Sequence, residues 1–236
     1  MTKSNRYFCA LLGFALWGAA LSAEALQVRV ATWNVLGGID TSHDYTNAAV
    51  DIDYKAVTSI VARVRPDILC FNELYAGEDY ATWVATAAAM GYPYTVFPAG
   101  EAGTFDGSLY PGVWSKYPVT NSYQIKETDF ADPTATYFTR WPLHTQIQVP
   151  GALQPFHVFV VHNRSGTETT SSRLNRGLEI YRTANFISSN LIAQYPLDSE
   201  YAIMGDWNDT IETESGFTAQ NTSFTRSQYL SYTGAL

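Results

Sequence analysis

Asn34, Glu73, His162, Asp206 and Asn208 each stand at or just beyond the end of an apolar run, where packing alone gives no reason for a polar group. A carboxylate that closes a buried strand is costly to leave unpaired, so Glu73 and Asp206 require a bound cation or an Arg partner. His162 adds an imidazole, and the two Asn residues add amide donors and acceptors. Ligands of layered α/β folds collect at strand ends, so four such ends carrying Asn, Glu, His and Asp-x-Asn point to one convergent polar pocket. Simpler readings exist for some of them: Asn34 and Asn208 as turn residues, and His162 as a core histidine. His157 lies five residues before His162; that odd offset turns it to the opposite face of a strand, where it reads as structural.

The elements that must carry these residues are legible from periodicity. Residues 27–34 alternate Val28, Val30 and Thr32 and read as a first strand. Tyr54–Val64 places Val57, Ile60, Val61 and Val64 at helical spacing, ended by Arg65-Pro66, and a second strand spans Asp67–Leu74. This strand-helix-strand opening marks an α/β layered domain. Tyr80–Met90 reads as a helix stopped by Gly91. Short aromatic and β-branched runs then follow at 94–97, 112–116, 122–126, 136–141, 143–149 and 156–162, a meander that favours antiparallel pairing. Arg173–Leu191 is the longest expected helix, with Arg173, Arg176 and Arg182 on its polar face, and Tyr201–Met204 is a last buried strand.

Thr32-Trp33-Asn34, the run from Asp67 to Glu73, Val160-Val161-His162 and Gly205-Asp206-Trp207-Asn208 occur in that order. Together they resemble the endonuclease/exonuclease/phosphatase superfamily of metal-dependent phosphoesterases, over about residues 27–215. Trp114-Ser115-Lys116-Tyr117-Pro118 is similar to the family's Ser-x-x-Pro stretch, which has a structural role. The resemblance implies a four-layer α/β/β/α sandwich of two packed mixed sheets. It implies Mg²⁺, with Mn²⁺ or Ca²⁺ as substitutes, at a metal site of Glu73 and Asn34, with Asn34 orienting that carboxylate and touching the phosphate. Asp206 matches the residue that positions or deprotonates the attacking water, Asn208 the donor to a phosphoryl oxygen, and His162 the donor that meets charge building in the transition state. Arg164 and Arg140 are candidate phosphate contacts. Two departures stand out: Asn72 replaces the Gln common before the metal Glu, and no Asp-His pair follows Asp209. The second departure predicts a domain lacking its C-terminal strands, and keeps open a non-catalytic binding domain on the same fold.

Composition bounds the rest. The 236 residues carry 14 basic and 22 acidic side chains, a formal charge of −8, which argues against a broadly cationic nucleic-acid surface. Lys3 and Arg6 precede an apolar run too short to span a bilayer, and Ala23-Glu24-Ala25 has the small-x-small pattern of a cleavage site. Residues 1–25 therefore read as a signal peptide and 26–236 as the domain, secreted or periplasmic. Losing Lys3, Arg6 and Glu24 with that segment shifts the charge from −8 to −9. Cys70 is then the single thiol and, inside Ile68–Phe71, reads as buried. The expected partner is a phosphodiester or phosphomonoester in a nucleic acid, lipid head group or sugar phosphate. The chain is expected to act as a monomer without a stable protein partner.

Overall fold

The computed structural model describes residues 27–35, 52–75, 80–98, 109–130, 138–166, 170–194 and 200–208. The expected signal peptide and everything from Asp209 onward, where C-terminal strands were expected to be lacking, lie outside the described residues.

Two four-stranded mixed sheets form the centre. In the first, β1 (Val30–Asn34) runs parallel to β2 (Ile68–Tyr75), which pairs antiparallel with β4 (Leu109–Ser115), and β4 pairs antiparallel with β3 (Tyr94–Val96). In the second, β5 (Val119–Gln124), β6 (Leu143–Ile147) and β7 (Phe156–His162) are antiparallel neighbours, and β8 (Tyr201–Asp206) joins β7 in parallel. Helices α1 (Ile52–Val64) and α2 (Tyr80–Ala89) belong to the first half of the chain, and α3 (Thr170–Phe186) to the second.

Both faces of β2 are buried, which is why its sequence is a continuous apolar run rather than an alternation. Ile68 and Cys70 point between the sheets and pack with Val113, Leu143, Ile147, Val158 and Val160. Leu69 and Phe71 point the other way, onto Val57 and Val61 of α1 and Trp83 and Ala87 of α2. There Phe71, Trp83 and Trp114 form an edge-to-face cluster with ring centroids 4.5–4.8 Å apart. On the far side, Phe159 packs under Phe186, Ile187 and Leu191. The layer order is helix, sheet, sheet, helix, as the resemblance implied. Ser115 makes the corner between the two sheets: its Oγ accepts from Tyr117 N at 3.0 Å and donates to Tyr117 O at 2.8 Å, a structural role for the Ser-x-x-Pro stretch.

Three expectations need correction. Of the strand expected at 136–141, the described part, 138–141, is not a strand, because Phe138 N and Thr139 N donate to the carboxylates of Glu127 and Glu179 instead of to a neighbouring chain. The helix expected to end at Leu191 widens after Phe186 into a π-helical turn, Ile187–Ile192. Arg176 and Arg182 do not line a solvated face: they are 2% and 3% exposed. Arg176 donates to two backbone carbonyls and Arg182 stacks over the rings of Phe130 and Phe138, and these contacts compensate for their burial.

Candidate active site

Two strand-helix-strand units build the site. β1, α1 and β2 make one, β7, α3 and β8 the other, and in each the two strands are parallel, so their carboxyl ends lie side by side. The first unit ends in Asn34 and Glu73, the second in His162 and Asp206. Because β1 and β2 face β8 and β7 across the sandwich, all four side chains meet at one rim of the molecule.

The backbone bends to aim them. The register of β2 shifts between Phe71 and Leu74, and Glu73 within that bulge adopts φ +62°. A left-handed Glu is uncommon, and bulges re-aim side chains beside functional sites. Asn72, the neighbour in the bulge, donates from Nδ2 to Val161 O at 2.9 Å and so ties the two sheets together next to Glu73. On β8, Gly205 has φ +131°, and a Cβ there would collide with the backbone of Val161 on β7. Only glycine allows β8 to lie so close to the His162 strand. Asn208, at φ +51°, closes a turn in which its N–H donates to Asp206 Oδ1 at 2.8 Å.

Asn34 Nδ2 donates to Glu73 Oε1 at 2.8 Å and to Asp206 Oδ2 at 3.0 Å. The amide is thus a bridge between two like charges from opposite sheets. Its nitrogen must be the atom that faces them, since an oxygen there would meet only acceptors. His162 Nε2 lies 3.4 Å from Glu73 Oε1 with its side chain 3% exposed. One ligand atom each from Glu73, His162 and Asp206 lies within 4.8 Å of the others. Two carboxylates and an imidazole that close form a donor set that suits a divalent cation, which would also relieve their mutual repulsion. Asn208 joins from the side: its Nδ2 donates to Asn163 O at 2.8 Å, which leaves a second hydrogen on that nitrogen.

The structure therefore brings together Asn34, Glu73, His162, Asp206 and Asn208. Arg140 and Arg164 gather around Glu179 instead. Burial pushes the Glu179 carboxyl above its usual range, while hydrogen bonds from Thr139 and Arg164 and the charge of buried Arg140 pull it back down; Arg164 is half-buried and donates its backbone N–H to Glu179 Oε2 at 2.6 Å. His157 does face away from the site, as its spacing predicts, and its Nδ1 lies 2.9 Å from His144 Nε2 behind β6 and β7. Cys70 is fully buried, and burial pushes its thiol far above the ordinary range, which removes it from any thiolate chemistry. Sequence reasoning missed Arg176 and Glu179, because an Arg and a Glu three apart on a helix look like an exposed pair.

The model of the Endonuclease/Exonuclease/phosphatase family matches residues 31–227, most of the chain. This chain belongs to that family. Solved structures agree in fold. A humanized D. rerio TDP2 superposes with a TM-score of 0.53 at 19% identity, over 84% of this chain and 68% of that one. A β-hairpin deletion mutant of Staphylococcus aureus beta toxin gives 0.55 at 18%, over 83% and 71%. D. rerio TDP2 complexed with a single-strand DNA product gives 0.52 at 18%, over 81% and 64%. Comparison with curated proteins gives no match. Members of this endonuclease/exonuclease/phosphatase family commonly use divalent metal ions, and the Glu73, His162 and Asp206 cluster is the group of side chains here that fits one.

Proposed function

We propose that this chain is an exported, metal-dependent phosphodiesterase that hydrolyses a phosphodiester, in the first instance of nucleic acid, by in-line attack of water. The observation that carries the reading is the cross-sheet cluster in which Asn34 bridges Glu73 and Asp206 with His162 alongside. The single-strand DNA product bound to D. rerio TDP2 supports nucleic acid as the substrate class.

Glu73 and Asp206 would hold the cation. Mg²⁺, or Mn²⁺ or Ca²⁺ in its place, supplies positive charge against the phosphate. Asn34 was expected among the metal residues; with its nitrogen turned to both carboxylates, it acts by orienting them. Asp206 is fixed through both oxygens, Oδ2 by Asn34 and Oδ1 by Asn208 N, so its plane is set to hold or deprotonate a water in line with phosphorus. Asn208 offers its second amide hydrogen to a phosphoryl oxygen. His162 donates to another as negative charge builds, an interaction worth most in a water-poor pocket. The non-catalytic alternative shares every structural feature and differs only in turnover.

The test is hydrolysis of bis(p-nitrophenyl) phosphate and of DNA, RNA, sphingomyelin and sugar phosphates with Mg²⁺. Turnover should be metal-dependent, highest on DNA or RNA, and lowered on the order of 100-fold or more by Glu73→Ala. A folded protein that hydrolyses none of these, or one indifferent to Glu73→Ala, would refute the reading and leave the binding domain.

A further inference from the structure

Outside the carboxylate cluster, two buried charged side chains share one turn of α3. Glu179 is 2% exposed, and its two oxygens accept from two backbone amides in different loops, Thr139 N at 2.6 Å and Arg164 N at 2.6 Å. Arg176, also 2% exposed, donates from Nη1 to Arg164 O at 3.0 Å and to Gly166 O at 3.1 Å. Both backbone polar groups of Arg164 are therefore gripped by the same helical turn. Burying a carboxylate and a guanidinium is expensive, and a loop that merely had to be covered could be held by neutral groups.

The position of the grip explains its use. Arg164 is two residues beyond His162, and Asn163 between them is tied at both backbone groups, its N donating to Asp206 O at the end of β8 at 3.0 Å and its O accepting from Asn208 Nδ2 in the turn that follows. A shift of Arg164 would be passed to His162 and, through Asn163, to Asn208. We propose that Arg176 and Glu179 are positioning residues for phosphodiester hydrolysis, holding the 162–164 segment so that the His162 imidazole faces Glu73 and Asp206. The inference rests on the phosphodiesterase reading of that site. Both act through the main chain of Arg164.

The substitution Glu179→Gln tests this, because a Gln amide can accept from only one of the two N–H groups and turns its own NH₂ against the other. Removing an orienting partner of this kind lowers activity roughly 10- to 100-fold. On bis(p-nitrophenyl) phosphate with Mg²⁺, that loss should fall on kcat with KM little changed. In a His162→Ala background, the same substitution should cost less than about threefold, because the group it positions is gone. Unchanged kcat in folded Glu179→Gln, or an equal loss in both backgrounds, would overturn the proposal. Should Glu179→Gln fail to fold, Arg176→Lys, whose single ammonium cannot reproduce the two-carbonyl fork, is judged by the same criteria. If the unaltered protein hydrolyses nothing, the phosphodiesterase reading fails on its own. The positioning role is then read from the His162 ring by NMR: its resonances should move in Glu179→Gln, and identical spectra would refute the role.

Discussion

At Glu73 and Asp206, two carboxylates from opposite sheets share one amide hydrogen-bond donor, Asn34. Without a cation this arrangement stores repulsion, which gives a prediction separable from catalysis. Replacing Glu73 with Gln keeps the shape, removes one charge and should leave the metal-free protein as stable as the original or more so. A divalent cation, by contrast, should stabilise the original: at 100 times its Kd the gain is about 2.7 kcal/mol. For a domain of this size that corresponds to a rise of roughly 5–10 °C in Tm. Thermal melts with and without Mg²⁺ or Mn²⁺ check it: a shift in the original and none in Glu73→Gln is expected, and an equal shift in both would place the cation elsewhere. The identity of these residues was plain in the sequence, since a polar group closing an apolar strand is conspicuous. Asn34 as a bridge was not, because its second partner lies 172 residues away.

Between β6, β7 and α3 lies an element with its own pH behaviour. His144 and His157 share a hydrogen bond, and the His144 ring stacks on Phe159 at 4.4 Å with a 6° tilt. Burial, and then the neighbouring His157, lower His144 from 6.5 to about 4, and burial lowers His157 too. An imidazole kept neutral when folded but free to take a proton when unfolded contributes stability that is complete above about pH 6.5. That stability is lost as pH falls through about 4. The shift corresponds to a loss of up to about 3 kcal/mol across that window. Denaturant unfolding at pH 7 and pH 4.5 should show a smaller acid loss for His144→Gln than for the original protein, and equal losses would assign the acid limb to other groups. Elements were readable wherever one periodicity ruled, as in β1 and α1. They were misread where side chains replace a ladder: Thr139 gives its amide to Glu179, so its run looked like a strand and is not one.

For the molecule as a whole, export is the property that the fold leaves open. Lys3, Arg6, the apolar run and Ala23-Glu24-Ala25 predict a mature chain that starts at Leu26 with charge −9. N-terminal sequencing of protein recovered from a secreting host should read Leu26 onward, and an intact Met1 would refute cleavage. So acidic a chain has little cationic surface for a polyanion, so on the proposed reading the positive charge that meets the phosphate would come mainly from a bound cation.

By itself the sequence determined most of the strands and helices, the buried thiol and the identity of the five clustered polar residues, because local periodicity and the cost of burying charge act over short stretches of chain. Only the tertiary structure decided which of them meet. Two parallel strand pairs had to be stacked face to face for Asn34 to reach Asp206, and Gly205 had to let β8 press against Val161. It also decided that Arg176 and Glu179, which look like a solvated helix pair in sequence, turn inward and take up the backbone groups of Arg164 and Thr139. Such choices depend on contacts across the whole chain, and no local pattern encodes them.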